Sequence, residues 1–161
     1  MCIRDRKRIG LSILGVVEPC GVMAVEEVEN WEIIEMAVDS GAGETVIGEE
    51  MLNSVDIVEG EAHKKGVLYE VADGTLLPNK GEKRFGVICE DGVKKKMVAQ
   101  VCGVNKALLS VRRVTAAGNT VVFKKGYGYI EEESTGEKIW MEEKEGMYVV
   151  KLWVPKNQKG F

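Results

Sequence analysis

Short apolar runs separated by polar turns dominate the chain from residue 31 onward. The segment 31–38 (WEIIEMAV) mixes alternating and continuous apolar positions, which is typical of a strand entering a core. Runs of similar length follow it, with glycine-containing turns between most of them. They cover 67–71, 84–89, 96–101, 119–123, 127–132, 137–141 and 147–153. The pattern predicts a mainly β protein.

Turn residues predict two hairpins in the first half of this pattern. The dipeptide Asp73-Gly74 follows the run 67–71, and Asp-Gly is a strong hairpin signal. The return strand passes through 76–77. A second turn, Glu-Asp-Gly at 90–92, separates the next two apolar runs. The strands are therefore expected to be largely antiparallel.

One segment departs from the β pattern. Leu108, Val111 and Val114 recur at three-residue spacing, and Gly118 is a suitable C-terminal stop for a helix. The spacing predicts one short helix within 105–118, late in the chain. The runs beyond it predict a C-terminal β-meander of hairpins.

Composition narrows the classes of function. The 161 residues suffice for one domain with a core, and 22 basic against 26 acidic residues leave a net charge of −4. That balance argues against direct nucleic-acid binding. The four cysteines form no CxxC pair and the chain has one histidine, His63, so the sequence predicts no metal site. His63 lies in a polar stretch, 59–65, that we expect to be an exposed loop rather than a catalytic site.

Two further features bear on location. No run approaches the roughly 20 apolar residues of a membrane span, so no membrane partner is expected. Residues 9–17 follow basic residues and resemble a signal-peptide core, but Glu18 follows at once and the cleavage site is indistinct. We interpret 1–30 as a leader or linker, poorly ordered, and expect an intracellular, cytoplasmic protein.

The stretch 39–43, Asp-Ser-Gly-Ala-Gly, ends the first strand and allows three interpretations. A dinucleotide-binding loop needs a third glycine at position 46, where the chain has Val46, and no Gly-Lys-Ser/Thr follows. A plain Asp-Ser-Gly turn is the second interpretation. The third is half of an aspartic protease site. There, two carboxylates share a proton, one activates water and the other polarises the scissile carbonyl.

Several blocks of sequence resemble one known family. The segment 38–47 (VDSGAGETVI) resembles the active-site strand and loop of retropepsins. Three later blocks, 71–78 (VADGTLLP), 107–111 (ALLSV) and 118–123 (GNTVVF), are similar in order and spacing to the protease region of Copia-type retrotransposon polyproteins. The resemblance covers residues 31–153. It implies a retropepsin-like closed β-barrel half with one short C-terminal-side helix and extra C-terminal β-hairpins.

The resemblance also implies roles for individual residues. Asp39 corresponds to the catalytic aspartate, and Ser40 to the residue whose hydroxyl interlocks the two active-site loops of a dimer. Gly41 and Ala42 correspond to the backbone that binds substrate, and Ser110 replaces the glycine of many retropepsins. The flap that closes over the peptide corresponds to Val71, Ala72, Asp73, Gly74 and Thr75.

Because the chain has a single Asp-Ser-Gly, the resemblance implies a homodimer with one Asp39 from each chain. The expected activity is aspartic endopeptidase cleavage of a retroelement polyprotein, without cofactor or metal. The expected domains are a leader at 1–30, a protease domain at 31–123 and a C-terminal β-meander at 124–161, towards the pre-integrase region. A catalytically inactive domain that serves dimerisation or binding, and an unrelated ligand-binding β-barrel, remain as alternatives.

Overall fold

A computed structural model describes residues 30–159 and the backbone of two earlier segments, 8–11 and 25–28. Those segments are the strands β1 (Arg8–Leu11) and β2 (Val25–Val28). The rest of the predicted leader, 1–30, lies outside the described residues apart from Asn30. β2 pairs antiparallel with the first half of β3 (Trp31–Asp39).

Six strands form a closed barrel. They are β3, β4 (Val46–Gly48), β7 (Glu82–Cys89), β8 (Lys94–Cys102), β9 (Leu108–Ser110) and β13 (Met147–Pro155). The order around the barrel is β3-β13-β7-β8-β4-β9 and back to β3. The β3–β9 and β4–β8 pairs are parallel and the others are antiparallel, so the barrel is mixed. The prediction of a mainly β protein with a closed barrel is confirmed.

Strand β13 comes from the predicted C-terminal meander and is nevertheless part of the barrel. It runs antiparallel along most of β3, from the pair Tyr148 and Val38 to the pair Pro155 and Trp31. It also pairs with the end of β7 through Leu152 and Cys89. The segment 124–161 therefore contributes one of the six strands of the barrel that contains Asp39.

The remaining strands lie outside the barrel. β10 (Asn119–Lys124), β11 (Tyr127–Glu132) and β12 (Lys138–Lys144) form an antiparallel meander that joins the barrel through β13, as the sequence predicts. A separate sheet contains β1, β5 (Leu68–Val71) and β6 (Leu76–Pro78). The last two form the hairpin that the Asp-Gly dipeptide predicts.

The helix predicted within 105–118 is shorter than expected. Its first part, Leu108–Ser110, is strand β9, and only Val111–Ala116 forms a helix, α2. Leu108 and Leu109 are 0% and 6% exposed because β9 lies between β3 and β4, so apolar neighbours surround both faces. Tertiary pairing thus overrides the three-residue spacing of the apolar positions.

A second short helix, α1 (Glu61–Lys64), occupies the polar stretch for which a loop was expected. It contains His63, whose exposed ring has Nδ1 2.9 Å from the carbonyl oxygen of Asn79. Among the described residues, no helix is long and apolar enough to cross a membrane.

The barrel interior includes two buried charges besides its apolar side chains. Lys83 and Glu32 are 2% and 3% exposed. The ammonium group of Lys83 donates to the carbonyls of Met51 (2.7 Å) and Leu52 (2.9 Å), and Glu32 accepts from the backbone N–H groups of Asn53 (3.1 Å) and Ser54 (3.0 Å). Lys83 and Glu32 together bond four consecutive residues of the loop after β4, 51–54, and so hold this loop against the barrel.

Candidate active site

Asp39 is the last residue of β3 and is half-buried. Its Oδ1 accepts a hydrogen bond from the backbone N–H of Gly41 at 2.8 Å. Its carbonyl oxygen accepts from the N–H of Ala42 at 3.4 Å. These two bonds turn the chain sharply away from the strand and fix the orientation of the carboxylate, as an aspartate at a turn does. The turn interpretation therefore describes the local geometry correctly.

The second oxygen of the Asp39 carboxylate, Oδ2, differs from Oδ1 in its hydrogen bonding. Oδ2 of Asp39 is buried, and no group in the described part of the chain donates a hydrogen bond to it. Leaving a buried polar atom unpaired costs about 1–3 kcal/mol, and more when the group is charged. A plain turn needs only Oδ1, so the turn does not account for the burial of Oδ2. Among the described residues, the Asp39 carboxylate is therefore hydrogen-bonded through one oxygen only.

Strand β9 supports the Asp39 loop from beneath. Ser110 lies directly opposite Asp39 in the parallel β3–β9 pairing and is fully buried. Its hydroxyl donates to the carbonyl of Ala42 at 2.7 Å, and its N–H donates to the Thr45 hydroxyl at 3.1 Å. The same hydroxyl accepts from the N–H of Arg113 at 3.2 Å and so caps α2. Serine at this position ties the loop, the strand and the helix together.

An ion pair makes a second link between the loop and α2. Arg113 Nε donates to Glu44 Oε1 at 2.9 Å, and a second bond joins Nη2 to Oε2. The hydrogen bond from Glu44 raises the pKa of the Arg113 guanidinium. The arginine side chain is 56% exposed and the glutamate only 13%, so solvent screens one partner more than the other. Sequence reasoning missed this pair and the role of Thr45, because the partners are far apart along the chain.

The predicted loop residues differ in exposure. Ser40 and Gly41 are exposed, whereas Ala42 is buried at 1% exposure. An open cleft of about 250 Å³ lies beside Asp39 and Ser40. Its other lining residues come from β3 and from the C-terminal meander: Ala37, Val38, Phe123, Gly146, Met147 and Tyr148.

Aromatic side chains form the far wall of this cleft. Phe123 packs edge-on against Tyr148, with ring centroids 4.9 Å apart, and still exposes 41% of its surface. The Tyr148 hydroxyl donates to the carbonyl of Lys124 at 2.6 Å, which fixes its ring. The sequence contains Phe123 and Tyr148 in apolar runs, but their position beside Asp39 depends on the way the meander returns to the barrel.

The predicted flap residues form the tip and base of the β5–β6 hairpin. Asp73 Oδ1 accepts from the N–H of Thr75 at 2.8 Å, Gly74 has φ +87°, and residues 72–75 are exposed. Val71, at the base, is 8% exposed and belongs to one apolar cluster with Ala42 of the Asp39 loop. The base of the hairpin and the loop thus share a core. No hydrogen bond among the described residues joins the hairpin tip to Asp39.

Tyr69 anchors the base of the same hairpin. It is fully buried in the cluster that includes Val71 and Ala42. The side-chain amide of Asn79 donates to its hydroxyl at 2.8 Å, and burial raises the pKa of the Tyr69 hydroxyl. Tyr69 is therefore a neutral structural residue that fixes where the hairpin leaves the barrel.

Other candidate nucleophiles and ligands do not lie in the cleft. Of the four cysteines, Cys89 and Cys102 are described, and both are buried free thiols. Burial raises the pKa of each thiol to about 11, so both are protonated at neutral pH. In the described ranges, no group of three or more His, Cys, Asp or Glu side chains could hold a metal ion. Asp39 is the one carboxylate among the described residues that line the cleft.

Comparisons with known proteins identify no family for this chain. No protein-family model matches the chain, and neither the curated proteins nor the solved structures contain a significant match. The fold itself is that of a mainly β protein, with a closed, mixed six-stranded barrel, further strands outside it and two short helices.

Proposed function

We propose that this protein is a retropepsin-like aspartic endopeptidase that acts as a homodimer. The observation that carries the proposal is the Asp39 carboxylate itself, which the Gly41 N–H orients at the end of β3 beside an open cleft. A second copy of the chain, related by a two-fold axis, would bring its own Asp39 to this cleft. The interface between the copies would then hold two neighbouring carboxylates that share one proton.

The proposed chemistry uses this shared proton. One Asp39 carboxylate takes a proton from a water molecule as the water oxygen attacks the scissile carbonyl carbon. The protonated Asp39 of the other copy gives its proton to the carbonyl oxygen, and a tetrahedral diol forms. Collapse of the diol breaks the C–N bond, and the amide nitrogen leaves with the proton that came from water. As the C–N bond breaks, one diol hydroxyl gives its proton to the second Asp39. The first half of the reaction thus exchanges the protonation states of the two carboxylates, and the second half restores them.

Other features of the site support this assignment. Gly41 carries no side chain and is exposed, so a peptide backbone can approach it closely. The exposed turn of residues 72–75 caps a hairpin whose base shares a core with the Asp39 loop, a suitable arrangement for a flap. The exposed Phe123 next to Asp39 and Ser40 offers an apolar surface for the second copy. As the sequence resemblance implies, we propose a retroelement polyprotein as the substrate, inside the cell.

Activity and assembly test the proposal together. The wild-type chain should cleave an apolar peptide at acid pH, because the mechanism needs a carboxylate pair that shares one proton. Cleavage should stop with a transition-state aspartic protease inhibitor and with Asp39→Asn. Asp91→Asn is a matched control, because Asp91 lies in the exposed turn between β7 and β8. Sedimentation at the assay concentration should show a dimer.

Two results would count against the proposal. Full activity from a strictly monomeric chain would exclude a site shared between two copies. Dimerisation of the wild-type chain without cleavage of any peptide would favour the alternative, a catalytically inactive domain of the same fold that serves as a dimerisation module.

A further inference from the structure

A second pocket lies beneath α2, on the barrel side, and shares no residue with the Asp39 cleft. We call it the α2 pocket. It has a volume of about 200 Å³ and is half-open to solvent. Apolar side chains from seven elements form its walls, among them Val87, Leu109, Val114, Ile130, Val150 and Leu152.

The rim of the α2 pocket carries charge of one sign only. Lys95, Lys96 and Arg113 line it, and no Asp or Glu does. Two of these cations have partners outside the lining: Lys95 bonds Glu132 at 2.8 Å, and Arg113 bonds Glu44. Lys96 is exposed and makes no ion pair with the described residues. Three cationic residues therefore border an apolar pocket, and Lys96 is the one of them without an ion pair to the described residues.

We infer that the α2 pocket binds a small apolar carboxylate, of the aryl or short-alkyl acid class. The volume of the pocket limits the apolar portion of the ligand. An apolar cavity of about 150 Å³ accommodates benzene, so a pocket of about 200 Å³ accommodates a ring with a short chain. The apolar walls disfavour sugars and nucleotides, whose polar groups would lose water without new partners. The cationic rim selects a ligand with a negative end, which Lys96 can pair without disturbing the other two cations.

This binding site is independent of peptide cleavage, although its wall adjoins the Asp39 region. Leu109 lines the pocket and precedes Ser110, which lies opposite Asp39 in the β3–β9 pairing. Arg113 lines the pocket and bonds Glu44 of the Asp39 loop. The two sites are thus neighbours through β9 and α2, but the inference needs only the pocket and its rim.

Titration with a matched pair of probes tests the charge requirement. The probes are 3-phenylpropanoate and the neutral 3-phenylpropan-1-ol, added to the 15N-labelled chain at pH 7. We expect saturable amide shifts around Leu109, Val114 and Ile130, with a Kd for the acid of about 10 μM to 1 mM, typical of a ligand this small. The alcohol should bind about tenfold more weakly, and Lys96→Gln should remove that difference.

A pair of adjacent alanines tests the location. Ala117 lines the α2 pocket and Ala116 does not, although both are exposed at the end of α2. Ala117→Phe should fill the opening and abolish the shifts, whereas Ala116→Phe should bind the acid as the wild type does. Equal affinity for acid and alcohol, or unchanged binding in a folded Ala117→Phe variant, would overturn the inference. If Ala117→Phe does not fold, the Lys96→Gln comparison alone decides.

Discussion

The Ser110 hydroxyl holds three parts of the candidate site together. It donates to the carbonyl of Ala42 and accepts from the N–H of Arg113, and its residue is fully buried. Without the hydroxyl, the Ala42 carbonyl and the first turn of α2 would each lose a partner. Ser110 therefore stabilises the loop that orients Asp39 without contacting a substrate.

Ser110→Ala should lower the free energy of unfolding by about 2–3 kcal/mol, the sum of a lost helix cap and a buried carbonyl left unpaired. Urea unfolding of the isolated chain measures this change. Ser134→Ala, in an exposed turn, is the control and should stay within about 0.5 kcal/mol of wild type. An equally small effect at Ser110 would mean that the loop does not depend on its hydroxyl.

Lys83 gives the protein an alkaline pH dependence. Burial lowers the pKa of its ammonium group from the ordinary 10.5, against the opposing attraction of Glu32. The unfolded chain therefore binds more protons than the native one between the lowered pKa and about 10.5, so stability rises with pH across that window. The contribution is lost again as the pH falls through the lowered pKa.

Replacing Lys83 by methionine should remove this pH dependence. Lys83→Met should also destabilise the protein by about 3 kcal/mol, because the carbonyls of Met51 and Leu52 lose their donor and Glu32 loses a nearby positive charge. Unfolding midpoints at pH 8, 9 and 10, for wild type and variant, measure both effects. Parallel pH profiles for the two proteins would contradict the role assigned to Lys83.

At the level of single residues, the sequence predicts the turn at Asp39 but not the contacts that support it. The motif Asp-Ser-Gly predicts the turn because an aspartate side chain bonds the backbone two residues on and glycine tolerates turn conformations. The Ser110–Ala42 and Arg113–Glu44 contacts join residues 68 and 69 positions apart. Nothing local marks such partners, since their proximity depends on β9 entering between β3 and β4.

At the level of elements, the period of the apolar positions predicts most strands well. Long strands such as β3 and β13 have enough alternation to be recognised. β9 has only three residues, and its apolar pair continues into the spacing of α2, so the two elements appear as one helix in the sequence. A short, fully buried strand carries no periodicity of its own, which is why the boundary at Ser110 emerges only with the fold.

Close packing of the outer meander depends on Gly128. A Cβ at this position would lie 2.7 Å from the Cε atom of Met141 and would also overlap the Val122 carbonyl oxygen on the paired strand. Gly128→Ala should therefore force β10 and β11 apart and destabilise the protein by about 1–3 kcal/mol. Thermal unfolding of the variant measures the loss.

Gly103→Ala is the matched control for this substitution. Its Cβ would meet Leu77 at an ordinary 3.8 Å, so it should stay within about 1 kcal/mol of wild type. Equal stability of the two alanine variants would show that the meander can move away from Gly128 at no cost.

At the level of the whole molecule, the barrel is closed by a strand that follows the predicted protease domain, 31–123. β13 pairs with β3 along eight residues and with the end of β7. A fragment ending at residue 123 would expose the long edge of β3 and the apolar interior beside it. The predicted division at 123 therefore separates five strands of the barrel from the sixth, β13.

Truncation tests this dependence directly. A fragment of residues 25–123 should fail to fold, with collapsed amide dispersion in its NMR spectrum, because the interior loses β13 and its side chains Val150, Leu152 and Val154. A fragment of 25–159, which keeps β2 and all six barrel strands, is the control and should give a dispersed spectrum. A dispersed spectrum from 25–123 would show that β13 is dispensable.

The position of β13 also governs the order in which the protein can fold. Trp31, the first residue of β3, pairs with Pro155, the last residue of β13, so these two neighbours in the barrel are separated by most of the chain. Contacts of such long range form slowly, since the loop between them must close first. During synthesis, the hairpins of the middle segment can form as they emerge, but the barrel stays open until residue 155 has left the ribosome. Until then, the strand that carries the Asp39 loop lacks β13, its long antiparallel neighbour in the finished barrel.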